Sequence, residues 1–104
     1  MIFIETPVFT KEVQKLLDDG ELRSLQAALL LRPDAGDLIP GSGGLRKIRW
    51  SGGGNGKRGG LRIIYYLDLP DTIYLLFPYR KSRKEDLTQE QIKILGRLVE
   101  AYLE

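Results

Sequence analysis

Three apolar runs follow one another between residues 45 and 79: LRKIRW (45–50), LRIIYYLDL (61–69) and TIYLLFPY (72–79). They are rich in β-branched and aromatic residues and read as strands. In the first run Leu45, Lys47 and Arg49 fall on one side, and Arg46, Ile48 and Trp50 on the other. The joins hold turn formers: a glycine-rich stretch, SGGGNGKRGG, and then Asp71. Joins this short cannot carry a crossover helix, so the three strands should pair antiparallel, as hairpins. Pro78 falls near the end of the third.

The flanks are helical in pattern. Ile2, Phe3 and Ile4 suggest a short first strand, closed by Pro7. Thr10, with base and acid after it, reads as a helix start; Val13, Leu16 and Leu17 share a face, and Gly20 stops the run. A second helix fits 21–31, where Leu22, Leu25, Ala28 and Leu29 recur at helical spacing before Pro33. The short gap at Gly20 predicts a helical hairpin. Residues 34–44, DAGDLIPGSGG, read as connection. At the far end Thr88 and Gln91 form a capping-box signature, and Leu87, Ile92, Leu95, Leu98, Val99 and Tyr102 share a face. The order β-α-α-β-β-β-α predicts an α+β fold: a small antiparallel sheet with an N-terminal helical hairpin and a C-terminal helix, the helices on one face. With 104 residues and no repeat or linker, the expectation is one domain over 1–104.

Composition narrows the chemistry. The chain has no Cys and no His. Thiolate nucleophiles, imidazole acid–base catalysis and Cys or His metal sites are therefore excluded. The start, MIFIETPVF, has an early acid and no long apolar run, so neither a signal peptide nor a membrane span is expected, and the chain reads as cytoplasmic. The overall charge is only +2, but it is unevenly spread. Residues 46–84 hold ten Lys and Arg against Asp68 and Asp71, while both flanks are net acidic. A basic middle framed by acidic ends is a directed field, and its natural partner is a polyanion, most often nucleic acid.

Several motifs compete for the glycines. GNGKRG (54–59) matches G-x-G-x-x-G, but the dinucleotide motif needs a helix next and a strand follows here. A phosphate-binding Walker loop fails too, with Ser51 where Gly is required and Arg58 after Lys57. The stretch is read as a flexible hairpin tip; the alternative is a tip that also touches RNA through Lys57 and Arg58, glycine letting backbone approach phosphate closely. Lys47 and Arg49 share a face by alternation. Arg62 lies across the hairpin and joins them in one register but not in the other, and Arg80 and Lys81 follow the neighbouring strand. No carboxylate pair is placed for acid–base work, and no metal or cofactor is expected. What remains is Arg and Lys to neutralise developing phosphorane charge, and tyrosines that pack in the core or stack on a base.

Three stretches, GDLIPGSGGLRKIRW, GKRGGLRIIYYL and IYLLFPYRKSRKEDLTQEQ, together resemble the RelE/ParE superfamily of type II toxins, closest to its HigB-type RelE-like branch. The resemblance runs through the whole chain and is strongest over 36–95. It implies a metal-independent endoribonuclease that cuts mRNA in the ribosomal A site and so inhibits translation. Its partners would be the ribosome, mRNA and a cognate HigA-like, DNA-binding antitoxin. The chemistry it implies is in-line attack by a ribose 2′-OH on the adjacent phosphate. Carried over by position, the catalytic set is Lys47, Arg49, Arg62 and Lys81, with Arg46 and Arg80 or Arg83 beside them as RNA contacts; the residues themselves add Lys57, Arg58 and Tyr79 as candidate RNA contacts. Several relatives use a His, Glu or Tyr near the C-terminal end for proton transfer. This chain has no His, and no Tyr between Arg80 and Glu100, which leaves Lys81, Lys47 and Tyr79, in that order. Two alternatives share the fold or the charge: a ParE-like gyrase poison and a non-catalytic RNA-binding module.

Overall fold

The structure, a computed structural model, describes residues 1–50, 60–80 and 86–104. Its elements are β1 (Ile2–Glu5), α1 (Pro7–Val13), α2 (Asp19–Leu31), β2 (Asp37–Leu38), β3 (Leu45–Trp50), β4 (Leu61–Asp68), β5 (Thr72–Arg80) and α3 (Gln89–Leu103). They form one five-stranded sheet in the order β1-β5-β4-β3-β2. β2 to β5 pair antiparallel, which for β3, β4 and β5 is as expected. β1 departs from the expectation and lies parallel to β5, from Ile2 opposite Thr72 to Glu5 opposite Leu75. Parallel pairing needs a long connection, and everything from α1 to β4 lies between these two strands.

Helix boundaries also differ from the periodicity, because capping chemistry sets them. α1 starts at Pro7 rather than Thr10: Thr6 is the N-cap, its Oγ1 accepting from Phe9 N at 3.0 Å, and proline is pre-organised for the first helical position. α2 starts at Asp19, so Gly20 belongs to its first turn. Asp18 accepts from Glu21 N at 2.7 Å while Glu21 accepts from Asp18 N at 2.9 Å, a reciprocal box. The Thr88–Gln91 box forms as expected, opening α3. Within the stretch expected to be connection, Asp37 and Leu38 add a short edge strand opposite Lys47 and Arg46.

The helices do not share one face of the sheet. Phe9, Val13, Leu17, Leu25 and Leu29 pack with Leu61, Ile63, Tyr65, Ile73 and Leu75 on one side. Leu95 and Val99 of α3 pack with Leu45, Ile64, Tyr74, Leu76 and Tyr79 on the other. β4 and β5 are apolar on both faces, so each face must be covered. Truncating fully buried Leu25 or Leu29 to Ala should cost about 2–5 kcal/mol.

A bulge sets which face the end of β5 presents. Ile64 pairs with Phe77 and Tyr65 with Leu75, leaving Leu76 with no partner on β4. The extra residue reverses the alternation, so Phe77 and Tyr79 join Tyr74 on the α3 side. The Leu76 carbonyl is satisfied from elsewhere: buried Thr6 donates its hydroxyl to it at 2.8 Å.

Candidate nucleic-acid interface

Strand register assembles the site. Arg49 faces Arg62 across β3–β4, and Arg62 faces Tyr79 across β4–β5, so the three make one row on the α3 side. Lys47 lies one step along, opposite Ile64, which in turn faces Phe77. The step after that is apolar: Leu45, Tyr66 and Tyr74, with Tyr102 of α3 5.4 Å from Tyr74 between ring centroids. The same sheet face thus runs from a helix-covered core to a row of cations.

Arg49 is exposed and Arg62 only 9% exposed. Like charges directly opposite one another are unfavourable, by roughly 0.2–1 kcal/mol in a sheet. An anion held over the row removes that penalty.

Tyr79 is 6% exposed. Burial, then the Asp86 charge and hydrogen bond, push its phenol up to about 12, against the opposing pull of the Arg62 cation. It keeps its proton at any physiological pH and acts as a donor. Its hydroxyl donates to Asp86 Oδ1 at 3.4 Å, and Lys47 Nζ donates to the same oxygen at 2.9 Å. Lys47, Ile64, Tyr79, Asp86 and Leu87 help line a depression of about 300 Å³ between the sheet and the start of α3.

Asp86 is the residue that sequence reasoning misses. Asp68 and Asp71 are the only acids within the basic middle, yet Asp86 reaches Lys47 across 39 positions. Its signal is the D-L exit before the Thr88 cap, which returns the chain from β5 to the sheet face.

The structure separates other expected residues from this group. Arg46 and Arg80 point to the opposite face, paired with Tyr65 and Leu61. Arg46 Nη1 donates to Gly36 O at 2.7 Å and Asp34 O at 3.2 Å, so this guanidinium ties down the connection before β2. Arg80 lies with Glu12, Lys15 and Pro78 beside α1. Lys57, Arg58, Lys81 and Arg83 lie outside the described residues. Of the remaining tyrosines, Tyr65, Tyr66 and Tyr74 belong to the two cores.

No known protein family matches the chain in a comparison with family descriptions. Among solved structures, the chain is similar to a doubly substituted mutant of the E. coli toxin RelE in its free state. The TM-score is 0.59 at 17% identity, over 81% of this chain and 86% of that one. No helix among the described residues is long and apolar enough to cross a membrane. The α+β architecture of this chain, a strand-ordered sheet between an N-terminal helix pair and a C-terminal helix, is a RelE-like fold.

Proposed function

We propose that this chain is the toxin of a type II toxin–antitoxin pair, a metal-independent endoribonuclease that cuts mRNA in the ribosomal A site. The observation that carries the reading is the cross-strand row Arg49–Arg62–Tyr79 with Lys47 beside it: three cations and a phenol that strand register brings together on the α3 side of the sheet. The RelE-like fold supports it, and so do the sequence stretches that resemble the HigB branch. The site acts as one domain in the cytoplasm, with a HigA-like antitoxin as the inhibiting partner.

The chemistry follows from the groups present. The 2′-oxygen attacks the adjacent phosphorus, the P–O5′ bond breaks, and the products are a 2′,3′-cyclic phosphate and a 5′-hydroxyl. Arg62 and Arg49 stabilise the extra negative charge on the non-bridging oxygens, usually the largest contribution to such a reaction. Lys47, held by Asp86, adds a fixed positive charge. Among the described residues, Asp86 takes the 2′-proton and Tyr79 donates one to the leaving oxygen. Lys81 is the further proton-transfer candidate from the sequence.

The test is induced expression with mapping of RNA 5′ ends. Codon-phased cuts confined to translated messages are expected, and Arg62→Ala with Lys81→Ala should abolish growth arrest. Arrest with intact messages and double-strand DNA breaks would replace this reading with gyrase poisoning. Arrest that survives the double substitution would remove the site.

A further inference from the structure

The depression at Lys47 and Tyr79 does not end there. Gln89 and Ile92 line both it and a second groove, of about 310 Å³, between α3 and the turn before β3. One wall of that groove is Gly41, Ser42 and Gly43; the other includes Lys93, Gly96 and Arg97, with Glu100 at the far end. We propose that this groove is a second RNA subsite, which holds a backbone phosphate of the nucleotides flanking the scissile bond. The inference rests on the nuclease reading above and adds to it the path of the strand.

Three features support the assignment. Lys93 and Arg97 are both exposed and stand at i, i+4, so their Cβ atoms are about 5–6 Å apart and the two side chains can close on one phosphate. The opposite wall is open backbone: Gly41 and Gly43 have φ of +69° and +77°, and a Cβ at either would meet nothing within 4 Å. A wall without side chains lets a sugar-phosphate chain lie close.

Gly96 is the third feature. It sits inside α3, where glycine costs about 0.5–1 kcal/mol relative to alanine. Packing does not demand it, since a Cβ there would come only to 3.7 Å from Ser42 O, an ordinary contact. It does keep the groove wide. The track has a direction as well: it runs from Lys47 past Gln89 to Arg97, and Glu100 repels phosphate beyond that point.

The experiment measures fluorescence anisotropy of the purified protein with 2′-O-methyl RNA, which cannot undergo 2′-attack. Two probes are compared, a dinucleotide and a single strand of about nine nucleotides, within the span of known single-strand sites. Lys93→Ala with Arg97→Ala should weaken the longer probe about tenfold and leave the dinucleotide unchanged. It should also make the log–log salt dependence shallower by about 0.7 for each phosphate no longer neutralised. Gly96→Ala should raise Tm while weakening only the longer probe. If Lys47→Ala with Arg62→Ala weakens both probes but the α3 substitutions weaken neither, or weaken both probes alike, the second subsite is wrong and the nuclease site stands. If the parent protein binds neither probe, the second subsite is wrong, while the nuclease reading is decided separately by the mapping of RNA 5′ ends.

Discussion

Tyr65 and Tyr79 lie on adjacent strands, both almost wholly buried, and both are harder to ionise than a free phenol, chiefly because of burial. Their surroundings differ. On the α1–α2 face the Tyr65 hydroxyl donates to Pro33 O at 2.6 Å and accepts from Gly36 N at 2.9 Å. Neighbouring Arg46 closes on the Gly36 and Asp34 carbonyls. Gly36 itself is required there, since a Cβ would come to 2.7 Å from the Tyr65 ring. On the α3 face Tyr79 meets a side-chain carboxylate and a row of arginines at the edge of an open depression. Polar groups tied to backbone carbonyls have a fixed, stabilising role. Polar groups that face other side chains and a cavity can exchange those partners for a substrate. Adjacent residues such as Arg46 and Lys47 therefore differ in role because of strand alternation, not residue type.

The contrast can be broken most sharply at the cations. Arg62→Ala should lower cleavage by about 10²–10³-fold, the usual cost of losing one charge-stabilising donor, with far-UV circular dichroism unchanged. Arg46→Ala should leave cleavage within a few-fold of the parent and lower the melting temperature instead. If the two substitutions had equal effects on cleavage, the two faces would not be functionally distinct.

Next in size is Tyr65→Phe, which strands a buried amide and a carbonyl. Denaturant titration should show a loss of about 1–3 kcal/mol. That corresponds to a Tm lower by about 4–8 °C per kcal/mol, without a specific loss of activity.

Alkaline titration sharpens the comparison further. Below pH 10 Tyr79 is protonated whether the chain is folded or not, and it contributes no slope. Between the ordinary value of 10.0 and its folded value of about 12, only the unfolded chain releases the proton, so stability falls as pH rises. Tyr79→Phe should remove part of that fall and Tyr65→Phe another part. A curve unchanged by Tyr79→Phe would show that this phenol is not held in its neutral form.

The smallest effect on stability is expected at Asp86. Its side chain is 57% exposed and that of Lys47 33%, so Asp86→Asn should move stability by no more than about 1 kcal/mol, while cleavage slows. A large loss of stability there would make the Lys47–Asp86 pair a fold element.

Much of this is legible in the sequence because local chemistry decides it. The alternation of LRKIRW puts Lys47 and Arg49 together and Arg46 opposite, and the Thr88–Gln91 box opens α3 where its signature stands. What the sequence hides depends on distant partners. The unbroken apolar run in LRIIYYL marks a strand buried on both sides, yet periodicity alone does not reveal that α3 crosses to the second face. The parallel pairing of β1 is a contact across 70 positions, and no local pattern encodes it. Arg80 escapes for a related reason. Counting along β5 assumes strict alternation, and the extra residue at Leu76 reverses it before Arg80 is reached.

That extra residue also works as a hinge of parity between two halves of β5. The half before it is locked to β1 and the helical core; the half after it carries Tyr79. Excising Leu76 would put Phe77 directly after Leu75, still opposite Ile64, so Tyr79 would keep its place opposite Arg62 and Arg80 its place opposite Leu61. What the deletion takes away is the carbonyl that anchors the Thr6 hydroxyl at the start of α1, so the loss would fall on the seating of the first helix while the cationic row kept its register.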